Sequence, residues 1–212
     1  MPKTKKIYVV GNQLHYANFI TDHNLVDNIE DADIVIFTGG EDVHPSLYKC
    51  KPHPTTYANL QRDAEEVAEF RKIKSNQLVI GICRGSQFLC VMNGGKLIQN
   101  VTKHAIHHTH LIAEIGTNKI YDITSTHHQM QYPFELSKDQ YTCLFATVGV
   151  HSDRYEGDGI QIPPFEPEVV LYKKPEKPVC LAIQGHPEYM RSDSPIVIRL
   201  NEIINTLLKH EN

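Results

Sequence analysis

No stretch of this sequence approaches the roughly 20 consecutive apolar residues that cross a bilayer, so no membrane span is expected. Nor is there an excess of positive charge. The formal net charge is −4, which leaves no electrostatic footprint for a nucleic acid. Cysteine is scarce and badly arranged for disulfides: five residues, an odd number, with no CxxC pair. This excludes a disulfide framework and points to a reducing compartment, so a cytoplasmic location is expected. No internal repeat and no low-complexity linker divides the chain. The opening MPKTKKIYVVG is basic and then apolar, too short for a signal peptide, and reads as a first strand. What is present is 41% hydrophobic residues in a chain of 212. That is enough for a substantial core, in one domain spanning 1–212.

The chain is organised around LVIGICRGSQFLCVMNGG, residues 78–95. An apolar run, Leu78–Ile82, enters a sharp turn through Gly81-Ile82-Cys83-Arg84-Gly85. A helical pattern comes next and stops at Asn93-Gly94-Gly95. Strand, tight turn and helix with a nucleophile at the apex is the layout of a nucleophile elbow, here G-x-C-x-G. Glycine two residues either side of Cys83 lets strand and helix approach closely. The turn places the sulfur at the carboxyl end of the strand and at a helix N-terminus, where free N–H groups and the helix dipole favour thiolate.

Around it the pattern alternates. Residues 5–10 form a β-rich run ending at Gly11. The weakly patterned 18–31 is expected to be helical. Ile34–Phe37 is a short buried strand ending at Thr38-Gly39-Gly40, where glycines let backbone pass close to a ligand. The polar loop 41–48 rims a site, with Glu41, Asp42 and His44 either contacting substrate or capping the next segment. Leu60, Ala64, Val67 and Ala68 share one helical face, and Glu65, Glu66 and Glu69 read as its solvated side. The first half is therefore expected to run β-α-β-α-β-α, a parallel sheet with helices on both faces. Later, 109–115 and 119–124 flank Gly116-Thr117-Asn118 as a hairpin. Further strands are expected at 143–150, 168–172 and 179–183. The last helix has Ser194 as N-cap and Pro195 in its first turn. Its apolar stripe is Ile196, Leu200, Ile203, Ile204, Leu207 and Leu208.

Two further places carry chemistry. In Gln184-Gly185-His186-Pro187-Glu188, a strand end sets a histidine two residues from a carboxylate. The carboxylate can hold one ring nitrogen while the other faces a thiol, the logic of an activated nucleophile. Ser125-Thr126-His127-His128-Gln129 is a polar turn after a strand.

Together these motifs resemble the class I glutamine amidotransferase family, within it the gamma-glutamyl hydrolase-like branch. The resemblance rests on Gly39-Gly40-Glu41-Asp42-Val43-His44-Pro45 with Tyr48, on the elbow through Gln87, on Ser125 to Gln129, and on Gln184 to Glu188. Arg62-Asp63 adds to it. It implies a flavodoxin-like three-layer α/β sandwich with a mostly parallel central sheet and extra antiparallel strands in the second half. It implies Cys83 as nucleophile, His186 as general base and then acid, and Glu188 as its orienter. Backbone N–H groups of Gly40 and Arg84 would form the oxyanion hole. Gln87, Ser125, Thr126 and His127 would hold a glutamyl head group. The reaction implied is hydrolysis of a gamma-glutamyl amide through a thioester on Cys83. Relatives often carry a bulky aromatic where this chain has Gly185.

The implied partner is a small-molecule gamma-glutamyl substrate. A glutaminase subunit would instead pass ammonia to a separate synthetase chain. A reading of another class is a non-catalytic binding module on the same fold; the intact Cys83, His186 and Glu188 set argues against it. His104, His107, His108, His110, His127 and His128 make a histidine-dense region. Its spacing matches no helix or finger metal pattern, so solvated loop histidines, some lining the cleft, are expected, with no metal and no cofactor. Cys90 and Cys180 read as small core residues.

Overall fold

A computed structural model of the chain describes residues 4–149 and 151–210. Its strands are β1 (Lys5–Val9), β2 (His23–Leu25), β3 (Ile34–Phe37), β4 (Leu78–Ile82), β5 (Lys96–Ile98), β6 (Asn100–Val101), β7 (Ala105–Glu114), β8 (Ile120–Thr126), β9 (Met130–Tyr132), β10 (Tyr141–Thr147), β11 (Tyr155–Glu156), β12 (Pro167–Tyr172) and β13 (Cys180–Ile183). Its α-helices are α1 (Leu60–Phe70), α2 (Arg84–Met92) and α3 (Pro195–His210).

Nine strands form one sheet in the order β2-β1-β3-β4-β13-β12-β10-β7-β8. The five from β2 to β13 are parallel, and the pairings from β13 through to β8 are antiparallel. Strands buried on both faces lose the apolar–polar alternation and become continuous apolar runs. Ile34–Phe37 and Leu78–Ile82 are such runs, fully buried along their length. Their side chains still alternate between two cores. Ile34, Ile36, Ile80 and Ile82 face α3, whose Ile196, Val197, Leu200 and Ile204 are buried against them. Val35, Phe37 and Val79 face the other way, onto Phe70 of α1 and Phe88 and Leu89 of α2. Each such fully buried aliphatic or aromatic side chain stabilises the fold by about 1.5–3 kcal/mol. The result is the expected three-layer sandwich.

Register positions the chemistry. Phe37 pairs with Gly81, and Ile82 with Ile183. The loops after β3, β4 and β13 therefore leave the sheet side by side at its carboxyl edge, where open α/β sheets bind ligands.

The first half departs from the β-α-β-α expectation. Between β1 and β3 there is no α-helix, only 3-10 turns at Leu14–Ala17 and Ile29–Asp31 and the short β2. Asp22, Asn24, Asp27 and Asn28 explain this, because Asp and Asn side chains compete for backbone groups and favour turns. In the second half, Gly116 (φ 96°) and Asn118 (φ 56°) supply the left-handed backbone of the β7–β8 hairpin. The strand expected over 143–150 is β10; Val150 itself lies outside the described residues. Ser194 accepts the first helical bond of α3 through its carbonyl, from Ile198 N–H at 3.1 Å. Its hydroxyl makes no capping bond.

Candidate active site

Cys83 sits at φ 53°, ψ −111°, a backbone state that costs a non-glycine residue about 1–3 kcal/mol. The surroundings hold it there. Its N–H donates to Ile183 O at 2.8 Å, and its carbonyl accepts from Ser86 N–H at 3.0 Å and Ser86 Oγ at 2.7 Å. The flanking glycines are obligatory. A Cβ on Gly81 would lie 2.4 Å from the Gly85 carbonyl oxygen, and one on Gly85 would lie 2.2 Å from that of Phe37. The G-x-C-x-G spacing is thus a packing requirement of the strand–helix crossing.

His186 follows β13 and is buried. Its Nδ1 lies 2.7 Å from Glu188 Oε1, and the ring is close enough to the Cys83 sulfur to be influenced by it electrostatically. Glu188 therefore holds one side of the His186 ring. Burial opposes protonation of His186, but the Cys83 sulfur and the Glu188 carboxylate outweigh it and raise the ring to about 10. Tyr189 stacks on the ring at 5.2 Å between centroids, and Tyr16 packs at 6.3 Å. The Thr124 hydroxyl clamps the loop by accepting from His186 N–H and donating to His186 O, both at 2.9 Å. Sequence reasoning missed Thr124, Tyr16 and Tyr189, which act through long-range contacts that no local motif records.

Gly185 is explained by the same clamp. β8 folds back over the end of β13, and a Cβ at Gly185 would lie 2.6 Å from both Ile123 Cγ1 and Thr124 O. An aromatic side chain has no room there.

Helix α1 ties the loop after β3 to the elbow. The Asn59 side chain caps it by accepting from Arg62 N–H at 3.1 Å. Leu60, expected on an apolar face, is 61% exposed, while Asp63 and Glu66 are buried. The solvated reading of Glu66 is therefore overturned: Asp63 and Glu66 both bind the guanidinium of Arg84, which is 1% exposed. Burial lowers Arg84 to about 10, so it stays charged at neutral pH. Next to it, Arg62 donates to Thr38 O and Gly39 O at 3.1 and 2.8 Å, to Glu66 at 2.8 Å and to Glu41 at 2.9 Å.

An open pocket of about 160 Å³ lies over the sulfur, lined by Gly40, Glu41, Asp42, Tyr57, Cys83, Arg84, Gln87 and the 126–129 segment. It is smaller than the roughly 300–1,000 Å³ sites that take drug-sized ligands. Of the residues expected to hold substrate, Gln87, Thr126 and His127 reach its wall and Ser125 does not. Ser125 and Thr126 end β8, whose alternation turns Ser125 inward, where its hydroxyl donates to His104 O at 2.6 Å. His128 Nε2 lies 3.0 Å from Asp42 Oδ1, and that contact raises its pKa. Asp42 also accepts from Tyr57 N–H at 2.8 Å. His44 serves as a cap, its Nδ1 accepting from Ser46 N–H at 3.2 Å.

The histidine-dense region is not a set of solvated loops. His104, His110 and His127 are buried beside Glu166 and Glu168 of the β12 region. His108 is exposed, and the His107 side chain lies outside the described residues.

These features define an α/β sandwich with a cysteine at a strained strand–helix turn and a His–Glu pair on the neighbouring loop. Residues 17–133 match the Peptidase C26 family. The chain belongs to that family, a class I glutamine amidotransferase-like group. It is 29% identical over 185 residues to the "Putative glutamine amidotransferase-like protein YvdE" of Lactococcus lactis, covering 78% of this chain and 70% of that protein. It is 41% identical over 78 residues to Protein NtpR of Enterococcus hirae; the match covers 36% of this chain and 33% of NtpR. A solved structure from Thermoplasma acidophilum, described as a "putative gmp synthase subunit a protein", superposes with a TM-score of 0.59 at 16% identity. It covers 99% of this chain and 94% of that one, a likeness of fold. Among the described residues, no helix is long and apolar enough to cross a membrane.

Proposed function

We propose that the protein is a cysteine-dependent amidohydrolase that cleaves a gamma-glutamyl amide through a thioester on Cys83. The observation that carries this reading is Cys83 in the wall of a pocket of amino-acid size, with the buried, hydrogen-bonded His186–Glu188 pair acting on its sulfur. Cys83 is the nucleophile, and Glu188 holds Nδ1 so that the opposite side of the His186 ring meets the sulfur. Attack on the carbonyl gives a tetrahedral oxyanion. Two backbone donors suit it. Arg84 opens α2, so its N–H has no intrahelical partner. In a trans peptide, N–H and C=O point opposite ways. The Arg62 bond to Gly39 O therefore turns the Gly40 N–H away from Arg62. One such donor is worth about 3–4 kcal/mol in an acyl-transfer enzyme. His186 then protonates the departing amine and activates the water that releases glutamate.

The pocket chemistry fits an amino-acid head group. Glu41 and Asp42 offer negative charge to an α-ammonium, while His128, Thr126 and the Gln129 amide offer partners to an α-carboxylate. The five free thiols suit work in a reducing compartment such as the cytoplasm.

The test is a panel of gamma-glutamyl amides, glutamine included, against matched glutaric amides that lack the α-amine. A site built to pair that amine discriminates by large factors, about 10⁴ in favourable cases. Equal kcat/KM for the two series would sink the glutamyl assignment, and turnover by Cys83→Ala would sink the nucleophile.

A further inference from the structure

The buried histidine–glutamate cluster takes no part in the chemistry proposed at Cys83. His104 precedes β7, His110 lies in β7, His127 follows β8 and Glu168 lies in β12. Their side chains are between 0 and 2% exposed. One atom, Glu168 Oε1, is faced by three imidazoles: His110 Nε2 at 3.3 Å, His104 Nδ1 at 3.8 Å and His127 Nε2 at 3.9 Å. None of these nitrogens makes a hydrogen bond, and Glu168 Oε2 is also without a partner.

A simple hydrogen-bonded network does not account for this. N–H···O bonds run at about 2.7–3.2 Å, and these separations are longer. His127 Nδ1 lies 2.8 Å from Gln129 O, which fixes the proton on Nδ1. Its Nε2 therefore turns a bare lone pair toward a carboxylate oxygen, an arrangement that calls for a cation between them. A proton on His110 serves one nitrogen of the three.

A metal ion held by His104, His110 and Glu168 supplies that cation. Ligands about 2.0–2.1 Å from a tetrahedral zinc ion stand about 3.3–3.4 Å apart, and imidazole nitrogen with carboxylate oxygen is a zinc donor set. His104, His110 and Glu168 already present ligand atoms within 4.8 Å of one another. The outer contacts are also in place. His104 Nε2 lies 3.3 Å from Glu166 Oε2, His127 is oriented by Gln129 O, and Thr147 Oγ1 donates to Glu168 at 3.0 Å. Carboxylates and carbonyls behind ligating histidines commonly fix ring orientation in this way.

We propose that His104, His110 and Glu168 bind a divalent transition-metal ion of the zinc type, with His127 beside the site. The site is closed to solvent, which is the character of a structural centre. It would pin β7 and β12 together behind the 126–129 wall of the pocket. Sequence spacing hides it because its residues come from different strands and their flanks and not from one helix or finger.

The test uses the full chain without an affinity tag, stripped with a chelator and then offered Zn²⁺ or Co²⁺. Elemental analysis after desalting is expected to show about one zinc per chain, with a raised melting temperature, and cobalt to give the visible absorption of a tetrahedral site. Loss of an outer partner weakens metal binding by about 10–100-fold; His110→Gln and Glu168→Gln should weaken it at least as much, and the exposed control His108→Gln should not. No retained metal with zinc, cobalt, nickel or manganese would overturn the proposal. Equal binding by all the variants would overturn it too, by assigning the metal to surface histidines. If the ligand variants fail to fold, the cobalt spectrum of the unaltered chain decides alone.

Discussion

Replacing Arg84 with Met tests how the elbow is anchored. The guanidinium is buried between Asp63 and Glu66 of α1. Removing one partner of a buried ion pair costs about 3–5 kcal/mol, because the remaining charges stay buried without compensation. Two contacts soften the loss here. Glu66 keeps Arg62 Nε at 2.8 Å, and Asp63 keeps the His44 N–H at 2.9 Å. The expected cost is therefore near the lower end, about 3 kcal/mol. For a chain of 212 residues each kcal/mol moves the melting temperature by about 2–4 °C, so Arg84→Met should melt about 6–12 °C lower. Urea denaturation and calorimetry measure this. The triple variant Arg84→Met, Asp63→Asn, Glu66→Gln removes all three charges and should recover most of the loss. A single variant within 1 kcal/mol of the parent, or a triple variant no better than the single, would refute the argument.

The same geometry yields other outcomes. A mild alkylating agent should label Cys83 first: Cys83 lines the pocket, whereas burial pushes Cys90 and Cys143 up to about 12; even labelling across all five cysteines would contradict this. His186, raised to about 10 chiefly by the Cys83 sulfur once burial is overcome, should titrate by NMR far above the usual 6.5 and drop in Cys83→Ala. Because the folded state binds this proton more tightly, its stabilising contribution is complete below pH 6.5 and is lost as pH rises through about 10. A midpoint near 6.5 in both proteins would end that account. Gly185→Ala should lose about 1–3 kcal/mol by overpacking against Ile123 and Thr124 O, with kcat falling as His186 is displaced; a neutral substitution would show that β8 does not fix the histidine loop.

Much of the site was legible because its residues lie in short, stiff local patterns. Leu78–Ile82 reads as a buried strand from its unbroken apolar run, and the glycines around Cys83 mark a crossing too close for side chains. His186 and Glu188 sit two residues apart, so their contact is local. What escaped the sequence depends on distant partners. Glu66 looks solvated on α1 until Arg84, 18 residues on, is folded under it. His104, His110 and His127 look like loop histidines until β12 brings Glu166 and Glu168 across them. Segment 18–31 carries enough apolar residues to suggest a helix, but its Asp and Asn residues favour turns. Ser125 belongs to a strand, and the strand's two-residue period decides that it faces inward.

The central claim is that Cys83 carries a gamma-glutamyl group during turnover. Rapid acid quench of the protein with a gamma-glutamyl amide, then intact and peptide mass spectrometry, reads this directly. One glutamyl unit in thioester linkage on the Cys83 peptide, absent in Cys83→Ala and accumulating in a variant with slowed deacylation, is the predicted result. Turnover with no acyl group on Cys83, or with the group on another residue, would contradict it.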